Sequence, residues 1–273
     1  MSLNNHKAKP LAGRIALVTG SGRGIGRSVA RELAELGASV AVLARSEPKV
    51  SEAARELTAE GFPALAVCAD VADWAQVQSA VQLIHARWGP VDILVNNAAV
   101  LGPLAPTAST DPALWAHTIN VNVTGAYHCL RAVLPGMQAR GWGRIVNVTS
   151  GAAHGSGIQN AGAYSVSKAA LDMLTRAVAS ETAASGVYVN GVSPGVVDTD
   201  MQSALREAPI EEIGAATSER FRALHARGEL QTPARPARLI VAVVLSDAHG
   251  EIISIRDERA QALLALLPEE GVS

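Results

Sequence analysis

Tyr164 and Lys168, in the run Ala163-Tyr164-Ser165-Val166-Ser167-Lys168-Ala169-Ala170, are the residues of this 273-residue chain best suited by type and spacing to do chemistry. Lysine is scarce: the other three, Lys7, Lys9 and Lys49, all precede residue 50, and beyond it every other fixed cation is arginine. A four-residue step on a helix stacks two side chains on one face. The phenol is therefore expected to sit beside an ammonium that favours the phenolate and lowers the tyrosine pKa toward neutrality. Arginine would not replace that lysine, because a compact charge with three rotatable donors can touch both a phenol and a ligand hydroxyl. The pair suits proton transfer to or from an oxygen.

A second constellation is Leu17-Val18-Thr19-Gly20-Ser21-Gly22-Arg23-Gly24-Ile25-Gly26, which ends an apolar run and opens a helical pattern. Gly20 allows a tight turn, Gly24 lets the backbone approach a pyrophosphate, and Gly26 allows close helix–strand packing. The helix N-terminus adds free N–H groups and positive potential. A dinucleotide site is implied. A site for NAD would place Asp or Glu at the end of the second strand to accept from the ribose 2′-hydroxyl. Here stand Ala44 and Arg45. Arg45 offers a planar fork for a 2′-phosphate, with Arg23 as a second cation, so NADP(H) is expected over NAD(H).

The elements that must position these residues are legible as seven short apolar runs: Arg14–Thr19, Ser39–Ala44, Ala64–Cys68, Ile93–Val95, Arg144–Thr149, Val187–Val192 and Ile252–Ile255. The first six are continuously apolar, as strands buried on both faces of a parallel sheet are. Helical patterns lie between them at Gly26–Leu36, Pro48–Glu60, Trp74–Trp88, Ala113–Gln138 and Ala163–Ala184. Repeated βα units predict a doubly wound α/β fold with a seven-stranded, mostly parallel sheet and helices on both faces. Residues 1–12 read as a flexible lead-in and 13–273 as one domain. The stretch 200–232, with Pro209 and Gly214, follows the sixth strand and reads as a helical flap over a substrate.

Composition narrows the function. Hydrophobic residues make up 48% and charged residues 18%, enough for a large core, and aromatic residues at 3% make that core aliphatic. A formal charge of −2 with mixed signs gives no basic stripe, so a nucleic-acid partner is not expected. Cys68 and Cys129 lie in apolar runs without a His cluster of ligand type, and read as core residues of a reducing compartment with no metal site. The polar start Met1–Pro10 lacks a signal peptide's apolar stretch, and no apolar run reaches about 18 residues, so a cytoplasmic protein without a membrane partner is expected.

Together these motifs resemble the classical short-chain dehydrogenase/reductase family from about Gly13 to Ile255. Thr19–Gly26 resembles its glycine turn, Asp70-Val71 its adenine-contacting pair, Asn96-Asn97-Ala98-Ala99 its Asn-Asn-Ala-Gly element and Val121–Gly125 the stretch carrying its helix asparagine. Ser150, Tyr164 and Lys168 match its catalytic serine, tyrosine and lysine. Pro194-Gly195 with Thr199 matches the motif that holds the nicotinamide carboxamide. The resemblance implies a Rossmann fold and hydride transfer between nicotinamide and a carbonyl or secondary alcohol. Tyr164 would be the general acid or base, Ser150 would hydrogen-bond the substrate oxygen, Lys168 would also bind the ribose, and Asn122 would hold a relay water.

The implied cofactor contacts are Gly20, Ser21, Arg23, Gly24, Ile25, Arg45, Asp70, Val71, Asn97, Ala98, Tyr164, Lys168, Pro194, Gly195, Val197 and Thr199. Ser150, His154, Ile158, Gln159, Asn160, Tyr164, Val196 and Met201 are expected around the substrate. Ser150 stands fourteen residues before Tyr164, one more than is usual, so the loop through His154, Gly155 and Gly157 is expected to bulge, with Thr149 the alternative. The tail departs from the family pattern at Ile255–Glu258, which favours a homodimer through Ala113–Gln138 and Ala163–Ala184 over a homotetramer. An NADPH-dependent reductase of a small or medium apolar ketone is the primary reading. A 3-oxoacyl thioester reductase and a non-catalytic NADP(H) sensor are the alternatives.

Overall fold

The structure, a computed structural model, describes residues 9–267. The seven strands form where the apolar runs lie: β1 (Ile15–Thr19), β2 (Ser39–Ala44), β3 (Ala64–Cys68), β4 (Ile93–Asn96), β5 (Gly143–Val148), β6 (Val187–Ser193) and β7 (Ile252–Ser254). They make one sheet in the order β3-β2-β1-β4-β5-β6-β7, and every pairing is parallel rather than most of them. Each strand has its crossover helix to bury its second face, so none has to turn back antiparallel.

The helices are α1 (Gly24–Glu35), α2 (Glu47–Ala59), α3 (Trp74–Trp88), α4 (Pro112–Ile119), α5 (Gly125–Ala139), α6 (Gly162–Thr182), α7 (Asp200–Glu207), α8 (Ile210–Ile213), α9 (Ala215–Ala226), α10 (Ala234–Leu245) and α11 (Glu258–Leu264). Alternation along β1 divides the core in two. Ala16 and Val18 join Leu33 of α1, Val50 of α2, Leu239 of α10 and Leu263 of α11 on one face. Ile15 and Leu17 join Ile84 of α3, Leu130 of α5 and Val178 of α6 on the other. The strand order, not the chain direction, reverses between β1 and β4, which opens a crevice above their carboxyl ends.

Three expectations are modified. The single helix expected over 113–138 is α4 and α5 joined by a π-helical turn, Asn120–Thr124, which holds Asn122. Widened turns of this kind often occur at functional sites. Cys68 is exposed although Cys129 is buried, because Cys68 is the last residue of a strand at the edge of the sheet. Residues 9–12 are not a loose lead-in: Leu11 is buried and its N–H donates to the Leu36 carbonyl at 2.9 Å. Residues 1–8, the rest of the expected lead-in, lie outside the described residues. The stretch 200–232 is ordered as α7, α8 and α9, with Leu205, Ile213 and Phe221 forming a small core against Leu101 and Ile158. Among the described residues no helix is long and apolar enough to cross a membrane.

Candidate active site

One groove of about 550 Å³ runs along the carboxyl ends of the strands, lined by Gly20, Gly24, Arg45, Asp70, Val71, Ala98, Tyr164, Lys168, Pro194 and Thr199, and by Arg23, Ile25 and Asn97. Its floor is fixed by hydrogen bonds between β1 and β4. Thr19 Oγ1 accepts from the N–H groups of Asn97 and Ala98, both at 3.0 Å, while Asn97 Nδ2 donates to the carbonyls of Thr19 and Gly20. Gly20 has φ +65°, and a Cβ there would lie 2.8 Å from Ala98 Cα, so only glycine lets the turn press against β4. Helix α1 begins without a side-chain cap, which leaves its first N–H groups available to an anion. The turn thus offers free backbone donors of the kind that suit an anion.

Ser21 does not line that groove. It is fully buried, its hydroxyl donates to the Val18 carbonyl at 2.6 Å and accepts from the Leu43 N–H at 3.0 Å, so it ties the turn to β2. Arg45 is half-exposed at the groove's end, 3.9 Å from Asp70, and Arg23 pairs with Asp200 at the start of α7. Lys49, in the first turn of α2, lines the same end as a third cation. The sequence gives a signal for it, as a scarce lysine one helical turn after Arg45.

At the other end of the groove Tyr164 and Lys168 are both buried on α6 and face the same cavity, as their spacing predicts. The expected electrostatics is not what the structure shows. Burial raises the Tyr164 pKa, opposed by a hydrogen bond from Ser150, and Lys168 does not lower it. The reason is position: Lys168 Nζ donates to the Val148 carbonyl at 2.7 Å and stands 5.7 Å from the phenol ring's centre. Tyr164 is therefore a neutral acid, suited to giving a proton to an oxygen brought beside it. Burial lowers the Lys168 pKa to about 8, against the charge of Asp172. Asp172, one turn further along α6, is a second buried ionisable group that the sequence reading passed over.

Ser150 follows β5, and its hydroxyl accepts from the Ala152 N–H at 3.1 Å within a short 3-10 turn, Gly151–Ala153. The extra residue before Tyr164 is absorbed by this turn and by Gly155 and Gly157, both at positive φ. Thr149 is buried beneath it, its N–H bonded to the Val192 carbonyl. Asn122 lies behind the groove, not in its lining. It accepts from the Val100 N–H at 2.8 Å and donates to the Val100 carbonyl and to Ser167 Oγ, both at 2.9 Å. One acceptor site of its amide stays unused.

A second, smaller cleft of about 310 Å³ opens beside Ser150 and Tyr164, walled by Leu101, Ile158, Val196, Met201, Leu205 and Phe221. Gly195 and Val197, expected at the cofactor, line this cleft and not the long groove, while Pro194 and Thr199 line both. Three residues expected at the substrate do not line it. His154 turns its Nε2 to within 3.4 Å of Asp172 Oδ2, because the bulged loop carries it over α6. Asn160 takes the left-handed conformation, φ 59°, and its carbonyl accepts from the Ala105 N–H, which makes it a turn residue. Gln159, also expected there, is exposed outside the cleft lining. Gln202, Arg220 and Arg256 line the cleft although sequence reading missed them.

The family model for short chain dehydrogenases matches residues 14–210. A granaticin polyketide synthase putative ketoacyl reductase of Streptomyces violaceoruber is 42% identical over 202 residues, covering 73% of this chain and 72% of that one. A gluconate 5-dehydrogenase from Burkholderia cenocepacia, solved with NADP and tartrate, superposes with a TM-score of 0.80 at 33% identity over 93% of this chain and 98% of that one. An actinorhodin polyketide ketoreductase variant solved with NADPH gives 0.81 at 34% identity over 91% and 97%.

Proposed function

Since the chain belongs to the short chain dehydrogenase family and is an oxidoreductase of that family, we propose that it uses NADP(H) to interconvert a carbonyl and a secondary alcohol on a small or medium substrate. The observation that carries this reading is the meeting of the two cavities at Tyr164, which lines both the long groove and the smaller cleft. The nucleotide would lie from Arg45 and Lys49 across the glycine turn to Thr199. When bound, its nicotinamide supplies or removes the hydride. Tyr164 gives its proton to the substrate oxygen in reduction. Ser150 donates a hydrogen bond to that oxygen as charge develops. Lys168 holds the ribose hydroxyls, and the unused acceptor of Asn122 suits a water serving that lysine. Absorbance at the reduced-nicotinamide band over a panel of ketones, diketones and quinones tests the activity; consumption of no member overturns it.

The granaticin relative lends weight to a second substrate class, a 3-oxoacyl thioester. Including one in the panel separates the two. The exposed Leu114, Tyr127, Val166 and Met173 on α4, α5 and α6 favour pairing with a second copy through that face, which sedimentation of the variant Met173→Glu tests against wild type. A cytoplasmic setting fits the same reading.

Cofactor choice rests on Arg45. Arg45→Asp removes a guanidinium fork from the 2′-phosphate and sets a carboxylate against it. The ratio of kcat/KM for NADPH over NADH is expected to fall about 100-fold, by the size of one lost charge-assisted bond plus repulsion. An unchanged ratio, or a wild type that prefers NADH, would remove the NADP(H) assignment.

The pH dependence follows from Lys168. Its pKa of about 8 means that the ammonium is present below that pH and lost above it, so kcat/KM for NADPH, which reports groups of the free enzyme, is expected to decline as pH rises through about 8. Asp172 opposes the effect of burial on Lys168, so Asp172→Asn is expected to move the break to lower pH. A break that stays in place in a folded Asp172→Asn protein would separate the profile from this pair.

A further inference from the structure

The walls of the smaller cleft are apolar, but its charged groups are all of one sign. Arg220, on α9, and Arg256, just after β7, line it, and no aspartate or glutamate does. Among the described residues neither guanidinium forms an ion pair; Arg220 rests 5.6 Å from the ring of Phe221, and the Arg256 backbone N–H bonds to Ser254 Oγ. Most other arginines around the fold do have acids: Arg27 and Arg31 pair with glutamates, Arg140 with Asp92 and Arg259 with Glu251. A third donor sits in the same lining. Gln202 is 4% exposed, its Oε1 accepts from Arg206 Nη1 at 2.5 Å, and its Nε2 is buried with no partner. A buried amide N–H without an acceptor is costly, which makes it an indication of a missing partner.

Two unpaired guanidiniums and an orphan amide form a set that donates only. Arg220 and Arg256 are exposed, so a neutral apolar ketone would displace the water that hydrates them and return no acceptor, whereas a carboxylate has about four acceptor positions and pairs with arginine in a bidentate fashion. We propose that Arg220, Arg256 and Gln202 form a carboxylate-recognition site, so that the substrate is an oxo acid, or in the reverse direction a hydroxy acid, small enough for a cleft of about 310 Å³. This rests on the oxidoreductase reading above and names its substrate class. In the balanced reaction the carbonyl carbon accepts a hydride from NADPH and its oxygen accepts the Tyr164 proton, giving the hydroxy acid and NADP⁺. Solvent returns the proton to Tyr164. The carboxylate is a handle; no bond to it forms or breaks.

The test uses the full chain with saturating NADP⁺. Calorimetry with cyclohexanecarboxylate and with cyclohexanecarboxamide reads recognition without turnover, and 4-oxopentanoate beside its methyl ester reads it through kcat/KM with NADPH. The carboxylate is expected to bind at least about tenfold more tightly than the amide, and the acid to exceed its ester by a similar ratio, the size of one charge-assisted contact. Both ratios are expected to fall toward unity in Arg220→Gln and in Arg256→Gln, which are surface-facing substitutions, and to drop further in the double variant. Equal binding of carboxylate and amide to the wild type, or ratios that both single variants leave intact, overturns the carboxylate site. If NADPH is bound but no carbonyl compound is reduced while the calorimetric preference and its loss in the variants hold, the activity reading fails and the site stands.

Discussion

Tyr164→Phe is expected to lower kcat by about 10²–10⁴-fold, the range a positioned proton donor contributes, while leaving NADPH affinity within a few-fold of wild type. The phenol is buried and its pKa is raised by that burial, so at neutral pH it carries the proton that a reduced carbonyl oxygen must receive. Ser150 would still donate a hydrogen bond to that oxygen but would have no phenol beside it to give up a proton. The ring itself stays, with its packing against Ala152 and Ala161, so the fold and the groove are expected to survive. Stopped-flow turnover with the best substrate of the panel, together with fluorescence titration of NADPH, gives both numbers. A variant within tenfold of wild type in kcat would remove Tyr164 from the proton path. A wild type that binds NADPH and turns over nothing would instead favour the sensor reading.

Gly26→Val is the second large effect, and it acts on nucleotide binding. Helix α1 crosses the end of β1 so closely at Gly26 that an added Cβ would lie 2.5 Å from Asn97 Nδ2, 2.7 Å from the Gly20 carbonyl oxygen and 2.9 Å from Ser21 Cα. None of these is the free end of a flexible side chain. Asn97 Nδ2 holds the Thr19 and Gly20 carbonyls, and Ser21 is locked to β2. The added carbons must therefore push α1 away from the turn, which costs about 1–3 kcal/mol as overpacking does. Its first N–H groups then no longer point at the phosphate position. NADPH Kd is expected to rise at least about 100-fold, since several charge-assisted bonds are lost together. The melting temperature is expected to fall by a few degrees, at about 2–4 °C per kcal/mol for a chain of this size. An NADPH Kd within threefold of wild type would show that the glycine turn does not bear the pyrophosphate.

Much of the architecture was readable because its causes are local. A parallel strand covered on both faces is predominantly apolar, and the runs at 15–19, 39–44, 64–68 and 93–96 are so apart from Thr19, Ser39 and Asn96 at their ends, while those at 143–148 and 187–193 keep an apolar majority around the buried Asn147 and Asn190. The α3 boundaries, Trp74–Trp88, follow from Asp73, whose side chain accepts from the Gln76 N–H as an N-cap, and from Gly89, which ends the helix at φ 116°. The glycine turn and the four-residue step of Tyr164 and Lys168 are likewise short-range patterns, and they converge on one groove. Where a side chain points at the end of a strand is less local. Ser21 is among the cofactor contacts that the resemblance implies, yet the pairing of β1 with β2 directs its hydroxyl inward.

The chain's order of residue types was therefore enough to determine the doubly wound fold, the glycine turn and the Tyr164–Lys168 pair, because periods of two, of 3.6 and of one helical turn are set by backbone geometry alone. Only the folded chain decided that burial, not the neighbouring ammonium, governs Tyr164, that Asp172 stands behind Lys168, and that His154 leaves the cleft for Asp172. It alone also brought Gln202, Arg220 and Arg256 together with Ser150 and Tyr164. Those residues are separated by up to about a hundred positions along the chain, and desolvation and proximity across such distances arise from packing, which no local pattern encodes.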